Sequence, residues 1–299
     1  MARPPALTAE PNDAIERRTR ALETKRQLDL DAAESAVRRI RNPAALAARL
    51  GDAIRYSQRV EADVAGLSIQ TLLPHATDDY DARFLAVWVP DETGHGHALD
   101  MLLRHLGLPS YPTRESESVP VHNRVAGVLG RVAPQAYEMV SMAYHAIGAI
   151  NERLALEAYA RMGTIAASLG ESELAHALMA ALRRDESGHL GYYRTYARQL
   201  RPRLANWQMA VVRALIVRTY APVGAGDTVD KAPFGRAVAQ LEVDPENPQI
   251  ARTVQAIAED LLARDRGSLP PFVLTSLREC VRLAGVGSPA QHVDLRAAA

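Results

Sequence analysis

The sequence has little cysteine, few aromatic residues and no excess of charge of either sign. Cys280 is its one cysteine among 299 residues, which excludes an internal disulfide and a cysteine-based zinc or iron–sulfur site. Lysine plus arginine and aspartate plus glutamate balance at 35 each. The basic footprint of a general nucleic-acid-binding protein is therefore absent, and we expect no nucleic acid among its partners.

Long apolar runs and a secretory signal are also missing. No stretch approaches the roughly 18 consecutive apolar residues that a membrane-spanning helix needs, so no membrane span is expected. Residues 1–5 read Met-Ala-Arg-Pro-Pro and lack the apolar segment of a signal peptide. These two absences predict a soluble protein located in the cytoplasm.

What the chain does contain favours helices. Hydrophobic residues make up 47% of the sequence and aromatic residues only 5%, a composition that favours helix over sheet. No segment shows the alternation of period two that a strand requires. A single all-α domain over residues 1–299 is predicted, with disordered ends at 1–11 and 287–299 and a main loop at 108–120. The predicted helices cover about 12–40 (one or two helices), 43–73, 77–107, 134–169, 172–200, 203–220, 233–241, 247–265 and 270–284.

The functional prediction depends on two near-copies of one five-residue motif. Residues 91–95 read Asp-Glu-Thr-Gly-His, and residues 185–189 read Asp-Glu-Ser-Gly-His. On a helix, this spacing places the Glu and His side chains on one face, about one turn apart. A carboxylate beside an imidazole is a ligand pair for a transition-metal ion. The repetition indicates an internal duplication and hence two similar half-sites.

Each half of the duplication also carries a lone glutamate. Glu61 precedes Glu92 by 31 residues, and Glu152 precedes Glu186 by 34. Two antiparallel helices joined by a short loop need about that offset for their midpoints to meet. A Glu from each of two helices plus Glu-x-x-His from each of two others is the known ligand set of ferritin-like di-iron bundles. The sequence therefore predicts a ferritin-like four-helix bundle core within about residues 42–200, with additional N- and C-terminal helices. The predicted metal ligands are Glu61, Glu92, His95, Glu152, Glu186 and His189.

The ligand set is balanced in charge. Four buried carboxylates would repel one another and lose their hydration unless cations compensated them. Two Fe2+ ions supply four positive charges, and the two imidazoles add one neutral nitrogen to each ion. We therefore predict two iron ions that cycle between Fe2+ and Fe3+, with manganese as an alternative because it accepts the same ligands.

An aspartate precedes the glutamate of each copy of the motif. Asp91 and Asp185 lie four residues before His95 and His189. A carboxylate bonded to the outer nitrogen of a metal-bound histidine is a common second layer of such a site. We predict that each aspartate bonds to the histidine of its own motif or to that of the other copy. The alternative is that each aspartate is a helix cap or a surface residue.

Several weaker patterns each allow two interpretations. Glu157 is an alternative to Glu152, although it lies about 140° further round the helix. His145 and Trp88 are interpreted as core residues, with a substrate channel and a position over the metal site as the respective alternatives. A third Glu-x-x-His at 173–176 is interpreted as a solvated surface pair. An arginine-rich segment is interpreted as a solvated helix face, with docking of an acidic carrier as the alternative; it contains Arg194, Arg198, Arg201, Arg203, Arg213 and Arg218.

At these residues the chain resembles the soluble acyl-carrier-protein desaturases. Residues 86–97 resemble the first Glu-x-x-His helix of that family, 151–153 the helix that carries the lone Glu, and 185–189 the second motif. The similarity spans about residues 50–200. Plant members carry Thr three residues after the lone Glu, where this chain has Ala155. Arylamine N-oxygenases of the same superfamily carry a ligand His four residues before the second Glu, where this chain has Leu182.

The resemblance implies an enzyme of fatty-acid metabolism and lipid biosynthesis. It implies that the same six residues hold two irons, and that dioxygen is used to remove two hydrogens from an acyl chain on acyl carrier protein. It also implies a ferredoxin-like electron donor and no catalytic side chain beyond the metal ligands. The alternatives are a di-iron hydroxylase of a small-molecule substrate and a ferritin-like iron-binding protein without organic substrate, which the long C-terminal part disfavours. A homodimer is left open.

Overall fold

The computed structural model describes residues 13–25, 27–67, 78–110, 134–225, 228–243, 248–265 and 267–286. All regular structure within these ranges is helical, which confirms the predicted all-α class. The predicted disordered ends, the predicted end of the helix at residue 73 and most of the predicted main loop lie outside the described residues.

The described residues form ten α-helices, numbered here in chain order. They are α1 Asp13–Glu23, α2 Leu30–Arg38, α3 Pro43–Leu67, α4 Asp79–His105, α5 Pro134–Ser168, α6 Ala180–Leu200, α7 Asn206–Thr219, α8 Thr228–Gln240, α9 Pro248–Leu262 and α10 Phe272–Ala284. A helical turn at Ser172–Leu174 and a π-helical turn at Ala175–Met179 lead into α6, and a 3-10 turn at Arg201–Arg203 follows it. None of these helices is both long and apolar enough to cross a bilayer.

Local signals set the ends of the core helices. The Asn42 side chain accepts a hydrogen bond from the Ala45 N–H at 3.1 Å, before the first turn of α3. The Asp78 side chain does the same for the Asp81 N–H at 3.0 Å and caps α4. Beyond the end of α5, Gly170 adopts a φ of +86°, which a residue without Cβ accepts readily. These boundaries therefore follow from residues adjacent in the sequence.

The bundle is built from two helix pairs, one for each half of the predicted duplication. Helix α3 packs along α4, and α5 packs along α6. In the first pair, a Cβ added to Gly96 would lie 3.3 Å from the backbone nitrogen of Ala62 and 3.5 Å from Cβ of Glu61. This close approach brings Glu61 beside the first Glu-x-x-His motif. The outer helices cover the pairs: α1 lies on α4 and α6, α8 lies on α3, and α7 and α9 lie on α5.

Part of the arginine-rich segment ties α6 to α9. Arg194 and Arg198 both pair with the Asp260 carboxylate, at 2.8 Å and 2.7 Å. Arg201 donates to the carbonyl oxygen of the same residue at 2.9 Å. These three side chains hold two helices together, so this part of the segment is more than a solvated face.

Two local features differ from the sequence-based prediction. The helix expected at 172–200 contains a π-helical turn at Ala175–Met179, for which no local residue pattern gave a signal. Helix α8 begins at Thr228 and contains Pro233, although the prediction began this helix at the proline. Burial of Ala237 and Val238 holds α8 in place, so tertiary packing outweighs the local penalty of an internal proline.

Candidate metal centre

The six side chains predicted as metal ligands converge inside the bundle, and all six are buried. They come from four helices: Glu61 from α3, Glu92 and His95 from α4, Glu152 from α5, and Glu186 and His189 from α6. Their ligand atoms form two groups, and within each group all ligand atoms lie within 4.8 Å of one another. The first group is Glu61, Glu92, His95 and Glu186; the second is Glu92, Glu152, Glu186 and His189.

Glu92 and Glu186 belong to both groups. His95 Nδ1 lies 3.4 Å from Glu92 Oε2 and 3.2 Å from Glu186 Oε1. His189 Nδ1 lies 3.1 Å from Glu92 Oε1 and 3.3 Å from Glu186 Oε2. Each shared carboxylate therefore turns one oxygen towards each imidazole, while Glu61 and Glu152 each belong to one group.

Two buried atoms of this cluster show that its geometry suits a metal ion. His95 Nδ1 and Glu186 Oε1 have no hydrogen-bond partner among the described residues, although they lie 3.2 Å apart. Buried polar atoms without partners are rare in folded proteins. Imidazole nitrogen and carboxylate oxygen are common donors to divalent transition metals. The residues present fit a metal ion in this position.

The electrostatics of the cluster also favour a bound cation. Burial raises the pKa of Glu61 and Glu152 well above the usual range, and the charges of Glu92 and Glu186 raise it further. Tyr159 donates a hydrogen bond to Glu61. A cation that replaced the protons on Glu61 and Glu152 would relieve the repulsion among the four carboxylates.

Asp91 and Asp185 each support the imidazole of the opposite motif. His189 Nε2 lies 3.0 Å from Asp91 Oδ2, and His95 Nε2 lies 3.4 Å from Asp185 Oδ2. Both carboxylates are buried, so neither is a surface residue. With Nε2 directed outwards to an aspartate, Nδ1 of each ring faces the glutamates and is the nitrogen available to a metal.

The sequence did not predict a positively charged side chain beside Asp91 and Asp185. Lys25, just after α1, places Nζ 2.6 Å from Asp91 Oδ2 and 3.5 Å from Asp185 Oδ1, and its side chain is 16% exposed. One lysine therefore lies between the two aspartates that orient the two histidines. Its rarity is the signal that could have found it, because Lys25 and Lys231 are the two lysines of an otherwise arginine-rich chain.

An apolar cavity of about 150 Å³ reaches the glutamates of the cluster. Its wall includes the four glutamates of the cluster together with Ser57, Asn151 and Glu157, and the rest is aliphatic and aromatic. It is lined in part by Trp88, Ala155, Val223, Phe234, Val238 and Leu277. Helices α8 and α10 supply part of this wall. Trp88 is both a core residue and a neighbour of the site.

The alternative residues lie away from the ligand groups. Glu157 pairs with Arg153 one turn earlier on α5. Glu173 pairs with Arg39 at 2.6 Å on the surface, and His176 is exposed, which confirms the interpretation of the third Glu-x-x-His. His145, interpreted as a core histidine, is fully buried and lies 2.9 Å from Asp81.

Comparisons with protein-family models, with curated proteins and with solved structures each found no match. The geometry of the buried cluster and of its cavity is therefore the basis on which a function is proposed.

Proposed function

We propose that this protein uses two iron ions and dioxygen to oxidise an aliphatic substrate, and that it desaturates a carrier-bound acyl chain as the soluble acyl-carrier-protein desaturases do. The observation that carries the proposal is the pair of ligand groups that share Glu92 and Glu186 and border an apolar cavity. Four glutamates offer four negative charges, which two divalent cations balance.

Each residue of the cluster has a distinct task in this proposal. Glu61 and Glu152, which each belong to one ligand group, would each help to hold one ion, and Glu92 and Glu186, which belong to both groups, would help to hold both. His95 and His189 contribute Nδ1, since Nε2 of each ring is held by an aspartate. Two irons bound there would supply electrons and open coordination positions for the reduction of dioxygen.

The cavity supports an organic substrate over iron storage. An iron-storing bundle has no need of an apolar chamber beside its carboxylates, whereas an acyl chain matches such a chamber by burial of its methylene groups. Ala155, at the position where plant desaturases carry Thr, belongs to this wall, so the chain presents a methyl group there in place of a hydroxyl.

The decisive experiment is a single turnover. Protein loaded with Fe2+ without oxygen is mixed with air and acyl carrier protein that bears a fatty-acyl chain, and the acyl product is weighed by mass spectrometry. Loss of two hydrogens supports desaturation. Gain of one oxygen atom overturns desaturation in favour of hydroxylation. Iron oxidation without any organic product, also with free fatty acids and other small apolar substrates, indicates an iron-binding protein.

The metal assignment is tested by iron content. We expect two iron ions per chain in the parent protein and a loss of iron in Glu186→Gln, because a neutral amide replaces a bridging carboxylate. Glu173→Gln is the matched control, since it changes the glutamate of the surface Glu-x-x-His in the same helical segment. Equal iron content in the two variants would contradict the proposal.

A further inference from the structure

A second buried polar cluster lies close to the candidate metal centre. Tyr192 donates a hydrogen bond to Asp81 Oδ1 at 2.7 Å, and His145 Nε2 lies 2.9 Å from the same oxygen. Tyr196 donates to Asp78 Oδ2 at 2.6 Å. All of these side chains are buried. Asp78 has a structural task as the cap of α4, but capping does not explain why two phenols and an imidazole meet these carboxylates.

The arrangement gives the phenol of Tyr192 an immediate proton acceptor. His145 Nδ1 lies 2.7 Å from the carbonyl oxygen of Ser141, which can only accept, so this nitrogen carries a proton. The phenol already donates to Asp81 Oδ1, so its proton can pass along an existing hydrogen bond. Asp78 adds a second carboxylate to this buried cluster, so a proton taken up there reduces its net negative charge.

The resting phenol keeps its proton. Burial raises the pKa of Tyr192 well above the usual range, and the charge of Asp81 and its hydrogen bond act in the same direction. Loss of the proton alone would leave a buried phenolate beside a carboxylate, which is unfavourable. Loss of the proton together with an electron leaves a neutral ring.

An aromatic contact path joins this phenol to the metal centre. The Tyr192 ring stacks on Phe84 with centroids 3.9 Å apart and an interplanar angle of 4°. The Phe84 and His189 rings are nearly perpendicular, with an interplanar angle of 80° and centroids 6.2 Å apart. Although aromatic residues make up only 5% of the chain, several of them gather here. This aromatic cluster contains Phe84, Trp88, Tyr144, Tyr192, Tyr193 and Tyr196.

We propose that Tyr192 is a redox-active tyrosine, which gives one electron to the metal centre when dioxygen is reduced there in the absence of substrate. The proposal rests on the proposed function for its oxidant, dioxygen. The phenolic O–H bond breaks, its proton moves to Asp81 Oδ1, its electron crosses Phe84 towards His189, and a neutral phenoxyl radical remains. Phe84 serves as a bridge because it has no proton to release and is harder to oxidise.

The relay accounts for an electron deficit. Complete reduction of dioxygen to water takes four electrons, of which two ferrous ions supply two. An aliphatic substrate supplies the other two when it is bound. Without substrate, two electrons are missing: Tyr192 supplies one together with its proton, and Fe2+ in excess over the site supplies the other. Tyr159 lies nearer, since it donates to Glu61, but its proton could pass only to a carboxylate that binds metal in the proposed function. Tyr192 donates to Asp81, which belongs to neither ligand group.

Electron paramagnetic resonance provides the test. Protein loaded with Fe2+ without oxygen or substrate is mixed with dioxygen and frozen at a series of short times. We expect an organic radical signal that narrows when the protein contains ring-deuterated tyrosine. The signal should be lost in Tyr192→Phe and weakened in Asp81→Asn. Tyr193→Phe is the matched control: its ring lies 5.0 Å from Phe84, but its hydroxyl meets the Tyr144 hydroxyl at 3.1 Å and no carboxylate, so the signal should persist.

Iron content and dioxygen consumption measured on the same samples separate the two proposals. If iron binds and dioxygen is consumed without a tyrosine radical, the relay is overturned and the proposed function stands. A radical that persists in Tyr192→Phe, or that disappears in Tyr193→Phe, also overturns it. If no iron binds or no dioxygen is consumed, both proposals fall. Should Tyr192→Phe fail to fold, Asp81→Asn and Tyr159→Phe identify the tyrosine: a signal that weakens in Asp81→Asn and persists in Tyr159→Phe supports the relay, and a signal lost in Tyr159→Phe overturns it.

Discussion

At the scale of single residues, each motif helix orients the histidine of the other. Asp91 of α4 meets His189 of α6, and Asp185 of α6 meets His95 of α4. The two aspartates lie side by side, and Lys25 provides the cation between them. Although burial opposes it, the hydrogen bond from His95 and the charge of Lys25 hold the pKa of Asp185 below its usual value.

Replacement of Lys25 by methionine should weaken metal binding without removing a ligand. The change keeps most of the aliphatic side chain and removes its charge. The pKa of Asp185 should therefore rise, and its hydrogen bond with His95 should weaken. Loss of such an outer partner reduces metal affinity by roughly 10- to 100-fold, which competition with a chelator measures. Arginine at this position should restore part of the affinity, since it restores the charge.

The control is Lys231→Met, which removes the other lysine of the chain. Lys231 pairs with Glu279 at 2.9 Å, and both lie outside the two ligand groups. Equal affinities for the two methionine variants would show that Lys25 has no influence on the metal centre.

At the scale of helices, the sequence predicts what is local. Asp78 and Gly170 mark the start of α4 and the end of α5 because a cap and a left-handed residue act on adjacent backbone. The convergence of the six candidate ligands was predictable because their spacing repeats along the chain. The position of Lys25 and the wall formed by α8 and α10 were not, since they depend on packing between segments far apart in sequence.

The crossing of α8 and α10 is the tightest of these long-range contacts. A Cβ added to Gly235 would lie 2.0 Å from the carbonyl oxygen of Cys280 and 2.5 Å from its carbonyl carbon. Backbone cannot yield as a flexible side chain does, so Gly235→Ala should force the helices apart. We expect a loss of about 1–3 kcal/mol in the free energy of unfolding, measured by urea denaturation.

Gly94→Ala is the matched control for this overpacking. A Cβ at Gly94 meets nothing within 4 Å, and alanine favours a helix interior by up to about 1 kcal/mol over glycine. The two substitutions are chemically identical but should shift stability in opposite directions. If Gly235→Ala were as stable as Gly94→Ala, α8 and α10 would not cross as closely as the structure has them.

At the scale of the whole molecule, the two helix pairs place their carboxylates in one interior, and this concentrates unfavourable charge. The outer helices then cover the pairs and line part of the apolar cavity beside the cluster. Burial strengthens every electrostatic interaction of the cluster. A cation bound by the cluster would therefore be coupled to the stability of the fold.

This coupling predicts opposite pH profiles for the metal-free and metal-loaded protein. The pKa of Glu61 and of Glu152 is raised above 4.5 in the folded chain, so the folded metal-free protein binds more protons than the unfolded chain does. Its free energy of unfolding should fall as the pH rises from about 4.5 through the raised values. Bound cations keep the same carboxylates ionised, so the loaded protein should lose stability as the pH falls and protons compete with the metal.

Thermal unfolding measured across this pH range, with a chelator or with Fe2+ under nitrogen, tests the prediction. Metal at about 100 times its dissociation constant should add roughly 2.7 kcal/mol at neutral pH. Glu152→Gln should flatten the metal-free profile because it removes one of the two carboxyls whose pKa is raised. Parallel profiles for the two forms would mean that the buried glutamates do not exchange their protons for a metal, and the assignment of the cluster as a metal centre would fail.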